Sequence, residues 1–287
     1  MTREREGELY ALVLSVLESL FPILSLFAIR AVGALNTYFF VVVIATAVLL
    51  LTLRAKEGFG DLFKRAAMPD LLWTSFYITT LFILIFVGLR YTTAGNMAVI
   101  LTLQLLFSYL YFNLFGSEKL NALQTFAAFL MGAGAVVILF PAQFRFNKGD
   151  LLILIAAAIA PLANYYQKRA RAHVSSLTIL TFRNLVALPV LFAAAALAEG
   201  LPSAAKLAEA LPYIVAVALL VYVLAKILWI EALHRIGITK LSAMIAFIPL
   251  FTLLFAYPVL HELPTTRQML GILPIIAGAL LITRKSA

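Results

Sequence analysis

The 287-residue chain contains no cysteine, which excludes disulfides, thiolate metal sites and cysteine nucleophiles in one step. Charge is scarce as well: Asp, Glu, Lys and Arg together make up 12% of the residues, about half the share usual in soluble domains. The patterns HExxH and GxSxG and the glycine-rich phosphate loops are missing. The three histidines, His173, His234 and His261, lie far apart in loops or at the ends of apolar segments. No catalytic group, cofactor or metal site is therefore expected. Apolar side chains fill the space instead, at 64% of the chain and a mean hydropathy of +1.03. They come in runs of about 18 to 22 nearly uncharged residues, one after another, which only a lipid solvent accommodates. A soluble fold is excluded, and an all-α membrane protein is predicted. The formal net charge of +9 is scattered between the runs and never gathers into a basic patch, so it reads as a topology signal and not as a nucleic-acid site. The first apolar stretch is of full spanning length, which predicts that it stays in place and is not a cleaved signal peptide.

Apolar runs bounded by charges, Gly and Pro predict ten spans: 9–29, 36–53, 70–88, 93–115, 122–141, 151–170, 176–198, 210–232, 238–260 and 267–284. Ten helices of about 20 residues leave fewer than about ninety positions for loops and termini, too few for a soluble domain. With both termini in the cytoplasm, the cytoplasmic segments hold Arg3, Arg5, Arg54, Lys56, Lys64, Arg65, Lys119, Lys168, Arg169, Arg171, Arg235, Lys240, Arg284 and Lys285. The opposite side holds Arg30, Arg90, Arg145, Lys148, Lys206 and Arg267. That bias predicts this orientation, in a plasma or bacterial inner membrane.

The chain also matches itself. Residues 88–139 align without a gap to 232–283, with Leu89/Leu233, Leu106/Leu250, Phe107/Phe251, Leu110/Leu254, Glu118/Glu262, Gln124/Gln268, Ala133/Ala277, Gly134/Gly278, Ala135/Ala279 and Ile138/Ile282 identical. Earlier segments correspond at a shift of two residues less: Gly7-Glu8-Leu9 with Gly149-Asp150-Leu151, and Gly33-Ala34-Leu35-Asn36 with Ser175-Ser176-Leu177-Thr178. The expected units are therefore 1–144 and 145–287, five spans each. Five is odd, so the second unit enters the membrane from the other side, and the repeats are inverted. Inverted repeats favour two arrangements of similar energy, each open to one side, around a midplane site.

Two five-helix units, each with a short Glu-containing loop before a Gly-Ala-rich fifth helix (Gly116-Ser117-Glu118-Lys119-Leu120 and His261-Glu262-Leu263-Pro264), resemble the EamA-type members of the drug/metabolite transporter superfamily. The resemblance covers essentially the whole chain. It implies ten helices around a central cavity and the export or exchange of small metabolites such as amino acids. The chain departs from the commoner pattern in having Phe21-Pro22 and no Trp in its first span, and in Pro249, whose counterpart is Leu105.

Among the acidic residues only Glu18 lies near the centre of a span. A central charge costs about 2.5–3.5 kcal/mol on insertion scales, so a compensating function or partner is expected. Burial raises a carboxylate's pKa, which makes Glu18 a candidate proton or cation switch; its position is also similar to that of the acidic residue of the small multidrug resistance transporters, in the same superfamily. The alternative is a permanent pair with Lys226 or Arg183 that holds helices in register. Ser15, Glu18, Ser19, Pro22 and Ser25 form a small, polar stripe on the first span, and Pro161, Asn164, Tyr165 and Lys168 the matching stripe on the sixth. Pro22 and Pro161 each free a backbone carbonyl one turn earlier. On the eighth span Lys226 has Tyr222 and Trp229 a turn to either side, which suits binding of a substrate carboxylate, neutralisation of Glu18, or snorkelling. Arg183 is expected to snorkel or to pair structurally. Gln104, Ser108 and Tyr111 form a further stripe on the fourth span, and Trp73, Tyr77 and Thr80 one on the third. The small residues Ala128, Gly132, Gly134, Gly271, Ala277 and Gly278 assign the fifth and tenth spans to close helix packing, within the bundle or between subunits. These features predict a secondary-active transporter with the bilayer and a small molecule as its partners and with proton or cation coupling; a channel and a non-transporting scaffold are the rival readings.

Overall fold

A computed structural model describes residues 3–114, 122–139, 147–236, 241 and 244–282. The Gly116–Leu120 loop with Glu118 lies outside them, as do Arg145, Lys240, Arg284 and Lys285. The described chain is helical, with α1 (Arg3–Val32), α2 (Ala34–Lys56), α3 (Met68–Leu89), α4 (Ala94–Thr102), α5 (Gln104–Leu114), α6 (Ala122–Leu139), α7 (Lys148–Arg171), α8 (Ser176–Ala198), α9 (Ala204–Ala216), α10 (Lys226–Arg235), α11 (Ile248–Leu260) and α12 (Thr266–Ile282). A short 3₁₀ turn, Gly60–Phe63, lies between α2 and α3. Among the described residues six helices are long and apolar enough to cross a membrane: Glu4–Val32, Ala34–Lys56, Met68–Leu89, Lys148–Arg171, Ser176–Ala198 and Ala204–Trp229. The other apolar helices are shorter.

Two predicted spans are interrupted. The stretch 93–115 breaks at Leu103 into α4 and α5, and the stretch 238–260 turns at Phe247 before α11 begins at Ile248. Both breaks replace the α-helical bond by a bond one residue shorter, Leu103 N–H to Ile100 O at 3.0 Å and Phe247 N–H to Met244 O at 3.3 Å. Pro249 in the first turn of α11 accounts for the second. The first occurs at the aligned position with no Gly or Pro nearby, so packing and not local sequence sets it. A third irregularity is a π-helical stretch, Val217–Ala225, which joins α9 to α10. Each π turn takes up about one residue more than an α turn, so the faces of α10 are rotated relative to those of α9.

The helices pack in pairs that relate the two halves: α1 on α9–α10 and α3 on α7, α2 on α8, and α6 on α12. Glycines mark these pairs, because only a missing Cβ lets the backbones come so close. A Cβ on Gly7 would lie 2.7 Å from the Arg235 Cβ, and one on Gly149 2.8 Å from the Tyr91 carbonyl carbon. A Cβ on Gly134 would lie 2.6 Å from the Gly271 carbonyl oxygen, and one on Gly278 2.6 Å from that of Ala127. Each contact has its counterpart at the aligned position of the other half. Gly132, where a Cβ would meet nothing within 4 Å among the described residues, and Ala277, which is exposed, do not take part in this packing within the chain.

The ends of α2 and α8 show the same reciprocity. The Glu199 carboxylate, at the end of α8, accepts from the backbone N–H of Ala34, Leu35 and Asn36 at 2.9, 3.1 and 3.1 Å. It thereby fills the unpaired donors at the start of α2. At the other end of the pair, Glu57 after α2 accepts from the Ser175 hydroxyl that caps α8. Gly58 and Gly200, each following its Glu, both have positive φ (75° and 71°). The two helices therefore run antiparallel.

Candidate functional site

Lys226 opens α10 where the π stretch ends, and its Nζ donates to Glu18 Oε1 on α1 at 2.5 Å. The two side chains keep 24% and 19% of their surface exposed, because they border a cavity. That cavity, about 180 Å³, is walled by Leu14 and Glu18 of α1, Ile78, Leu81 and Phe82 of α3, Gln104 of α5, Ala160, Ala163, Asn164 and Gln167 of α7, Leu180 and Arg183 of α8, Lys226 and Trp229 of α10, and Ile245 and Ile248 beside the second helix break. A smaller one of about 100 Å³ adjoins it on the other side of Glu18 and Gln104, against Phe21, Pro22, Leu105 and Ala246. Both helix breaks thus lie in the cavity wall.

Of the residues singled out in the sequence, Glu18, Pro22, Gln104, Asn164, Lys226 and Trp229 come together there. Five others do not line it. Ser15 and Ser19 are buried and donate to carbonyls of their own helix, Ala11 O at 2.8 Å and Val16 O at 2.6 Å. Tyr77 packs against Trp73 and Tyr166, with ring centroids 5.6 and 5.7 Å away, Trp73 and Tyr166 also touch each other at 5.8 Å, and Tyr165 packs edge-on against Tyr166. That aromatic group belongs to the α3–α7 contact, where Arg169 also reaches Asp70 at 3.2 Å. Tyr222 is fully buried among Phe21, Tyr38 and Phe82.

Two polar residues in the wall of the larger cavity, Gln167 and Arg183, are not among these candidates. Gln167 follows Asn164 by three positions, a helical spacing that would have revealed it. Arg183 is expected to snorkel or to pair, yet it stands in the cavity wall with only 4% of it exposed, so it does not snorkel. Its Nη1 donates to Gln167 Oε1 at 3.4 Å, and its Nε has no partner.

The aromatic group of Phe21, Tyr38, Phe82, Phe86 and Tyr222 is drawn from α1, α2, α3 and the π stretch. Phe82 and Phe21 of this group also stand in the walls of the larger and the smaller cavity. Past the group, where α1 ends, a second hollow of about 720 Å³ opens between Leu26, Arg30, Gly33, Arg90, Glu199, Lys206 and Glu262. Glu262 lies in the loop between α11 and α12 and accepts from the backbone N–H of Ala94 and Gly95 at the start of α4. Burial raises its carboxyl pKa above the ordinary 4.5, against the opposing pull of those bonds and of Arg30. Nearby, Asp150 of α7 accepts from Thr92 and Asn96, and Asn96 accepts from Gln268 of α12 at 2.8 Å. Among the described residues no group of three or more His, Asp or Glu is placed to hold a metal ion.

An all-helical bundle with a polar pocket at its centre is compatible with many membrane functions; sequence comparison decides. The EamA-like transporter family is matched twice, over residues 5–140 and 147–284. The chain belongs to this family. It is similar to an uncharacterized transporter of Bacillus subtilis, YoaV, at 25% identity over 68% of each chain. It is similar as well to an uncharacterized transporter of Archaeoglobus fulgidus, at 25% identity over 72% of this chain and 73% of the other. A solved crystal structure shares the fold, with a TM-score of 0.69 and 16% identity over 97% of this chain and 96% of that one. This EamA-like protein is therefore an integral, multi-pass membrane transporter, and its partners are the lipid bilayer and a small-molecule substrate.

Proposed function

We propose that the protein carries a small amphiphilic or zwitterionic metabolite, with amino acids among the candidates, by alternating access around the Glu18–Lys226 cavity. The observation that carries this reading is the ion pair itself: opposite charges from the two halves of the chain meet at 2.5 Å in the wall of a central cavity. Glu18 is the proton or cation switch. When its carboxylate is protonated or taken by another cation, the attraction that joins α1 to α10 weakens, and the halves are released to rearrange. Ten spans in two inverted five-helix units, 1–144 and 145–287, complete the proposal, with both termini cytoplasmic and the protein in the cell or inner membrane. Support comes from the glycine contacts repeated at aligned positions and from the antiparallel α2–α8 pair. Discontinuous helices at a central site, as at Leu103 and Phe247, are what carriers of this kind use to bind substrate. In this arrangement the aromatic group between the cavity and the larger hollow is the closed barrier.

The test is uptake into proteoliposomes from a substrate panel under a pH gradient. Saturable counterflow is expected, with a pH dependence that Glu18→Gln abolishes. Counterflow that keeps its pH dependence in Glu18→Gln would remove Glu18 from the mechanism. Conductance at channel rates without saturation would overturn the carrier itself.

A further inference from the structure

The charges in the cavity wall do not balance. Glu18 is engaged by Lys226, which leaves the guanidinium of Arg183 as an uncompensated positive charge. Among the described residues no carboxylate forms an ion pair with it; its one hydrogen bond, long at 3.4 Å, goes to the neutral Gln167. The groups otherwise close enough to act on it electrostatically are the Tyr38 and Tyr222 hydroxyls and the already paired Glu18. A buried cation without a counter-ion is costly in a low-dielectric interior. Arginine cannot shed its charge to escape that cost, and only 4% of the residue is exposed although it stands in the cavity wall. The Nε left without a partner belongs to the fork that receives carboxylates in bidentate fashion.

We propose that Arg183 is the carboxylate-binding residue of this cavity, so that the transported molecule is a small organic acid or amino acid whose carboxylate supplies the missing negative charge. This rests on the cavity being the transport site. The hollow beyond the aromatic barrier points the same way. It carries three cations, Arg30, Arg90 and Lys206, against two carboxylates, Glu199 and Glu262, with Arg90 3.9 Å from the Glu199 carboxylate, which leaves an excess of one positive charge. An anion arriving there meets a positive field before it meets the barrier.

Trp229 stands in the same wall, and the chain has two tryptophans, so Trp73→Phe makes its fluorescence the sole indole signal from the full-length protein in lipid nanodiscs. The probes are propionate and alanine, their amides, and glycerol phosphate as a competing oxyanion. Saturable quenching is expected from a carboxylate, with the matched amide weaker by about 30-fold or more, the loss that follows when a buried charge is left unpaired. Arg183→Gln should erase the preference for acid over amide, and Arg183→Lys should retain part of it. Equal binding of acid and amide, tighter binding of the phosphate ester, or a preference that survives Arg183→Gln would overturn the assignment. Should Arg183→Gln fail to fold, the acid and amide comparison on the protein with native Arg183 decides alone. Saturable transport of amides or amines, with no effect of carboxylates, would sink this inference and leave the carrier standing; absence of saturable transport of any probe would sink the carrier reading itself.

Discussion

Glu262 is a loop carboxylate, outside the spanning helices, whose burial raises its pKa above 4.5. A carboxyl that holds its proton more tightly in the folded than in the unfolded state takes up protons on folding, so stability falls as pH rises from about that unfolded value through the folded one. Melting temperature should therefore decline over this window and level off above it. Glu262→Gln should flatten the decline, as read by thermal unfolding in detergent at a series of pH values; an unchanged slope would show that the carboxylate is not held as the structure has it. At this scale the sequence made some residues easy to find and their partners hard. Glu18, Arg183 and Lys226 stand out because charge inside a span is costly. Periodicity places each on a face of its own helix but does not say which neighbouring helix that face meets. The pairing of Glu18 with Lys226, 208 positions away, and the isolation of Arg183 are products of tertiary packing. Ser15 and Ser19 misled because a hydroxyl in a polar stripe can also be satisfied by a carbonyl of its own helix, as both are here.

The helices themselves were legible wherever length and hydropathy decide, as for α2, α3 and α8, whose ends fall within three residues of the expected spans. Their interruptions were less so. Pro249 announces the break before α11, but Thr102-Leu103-Gln104 contains no helix breaker, and the π stretch before Lys226 is an ordinary apolar sequence. The capping by Glu199 was legible in principle: Glu57-Gly58 and Glu199-Gly200 are identical pairs at the same shift that aligns Gly7 with Gly149. Its energetic weight follows from its surroundings. Glu199 accepts three backbone N–H groups in a partly buried setting, whereas the Glu57 contact is exposed. Removing the acceptor from buried donors costs about 1–3 kcal/mol. Glu199→Ala should therefore lower stability by about that much, Glu199→Gln by less, and Glu57→Ala least of all. Equal melting temperatures for the two Ala variants in the same lipid would contradict this ordering.

In the whole molecule the reciprocal contacts acquire their meaning. A contact between Gly7 and the end of α10 has its counterpart between Gly149 and the end of α3, and Gly134 against Gly271 has its counterpart in Gly278 against Ala127. The proposed inversion, one operation that exchanges the halves and turns the bundle over, would relate all of them, and it requires the second helices of the two halves, α2 and α8, to lie antiparallel, as they do. Loops at aligned positions should then face opposite sides of the membrane. The absence of cysteine, which at first only excluded chemistries, makes this testable, because any thiol introduced is the sole one. Phe59, after α2, and Leu201, after α8, occupy aligned positions and are 39% and 60% exposed. A membrane-impermeant maleimide added to intact cells should label Leu201→Cys and spare Phe59→Cys until the membrane is permeabilised, because the proposed orientation puts the α2–α3 loop, with its basic residues Arg54, Lys56, Lys64 and Arg65, in the cytoplasm. Labelling of Phe59→Cys alone would reverse the orientation and keep the inversion. Labelling of both from outside would break the inverted relation, and with it the physical basis for two arrangements of similar energy around the Glu18–Lys226 pair.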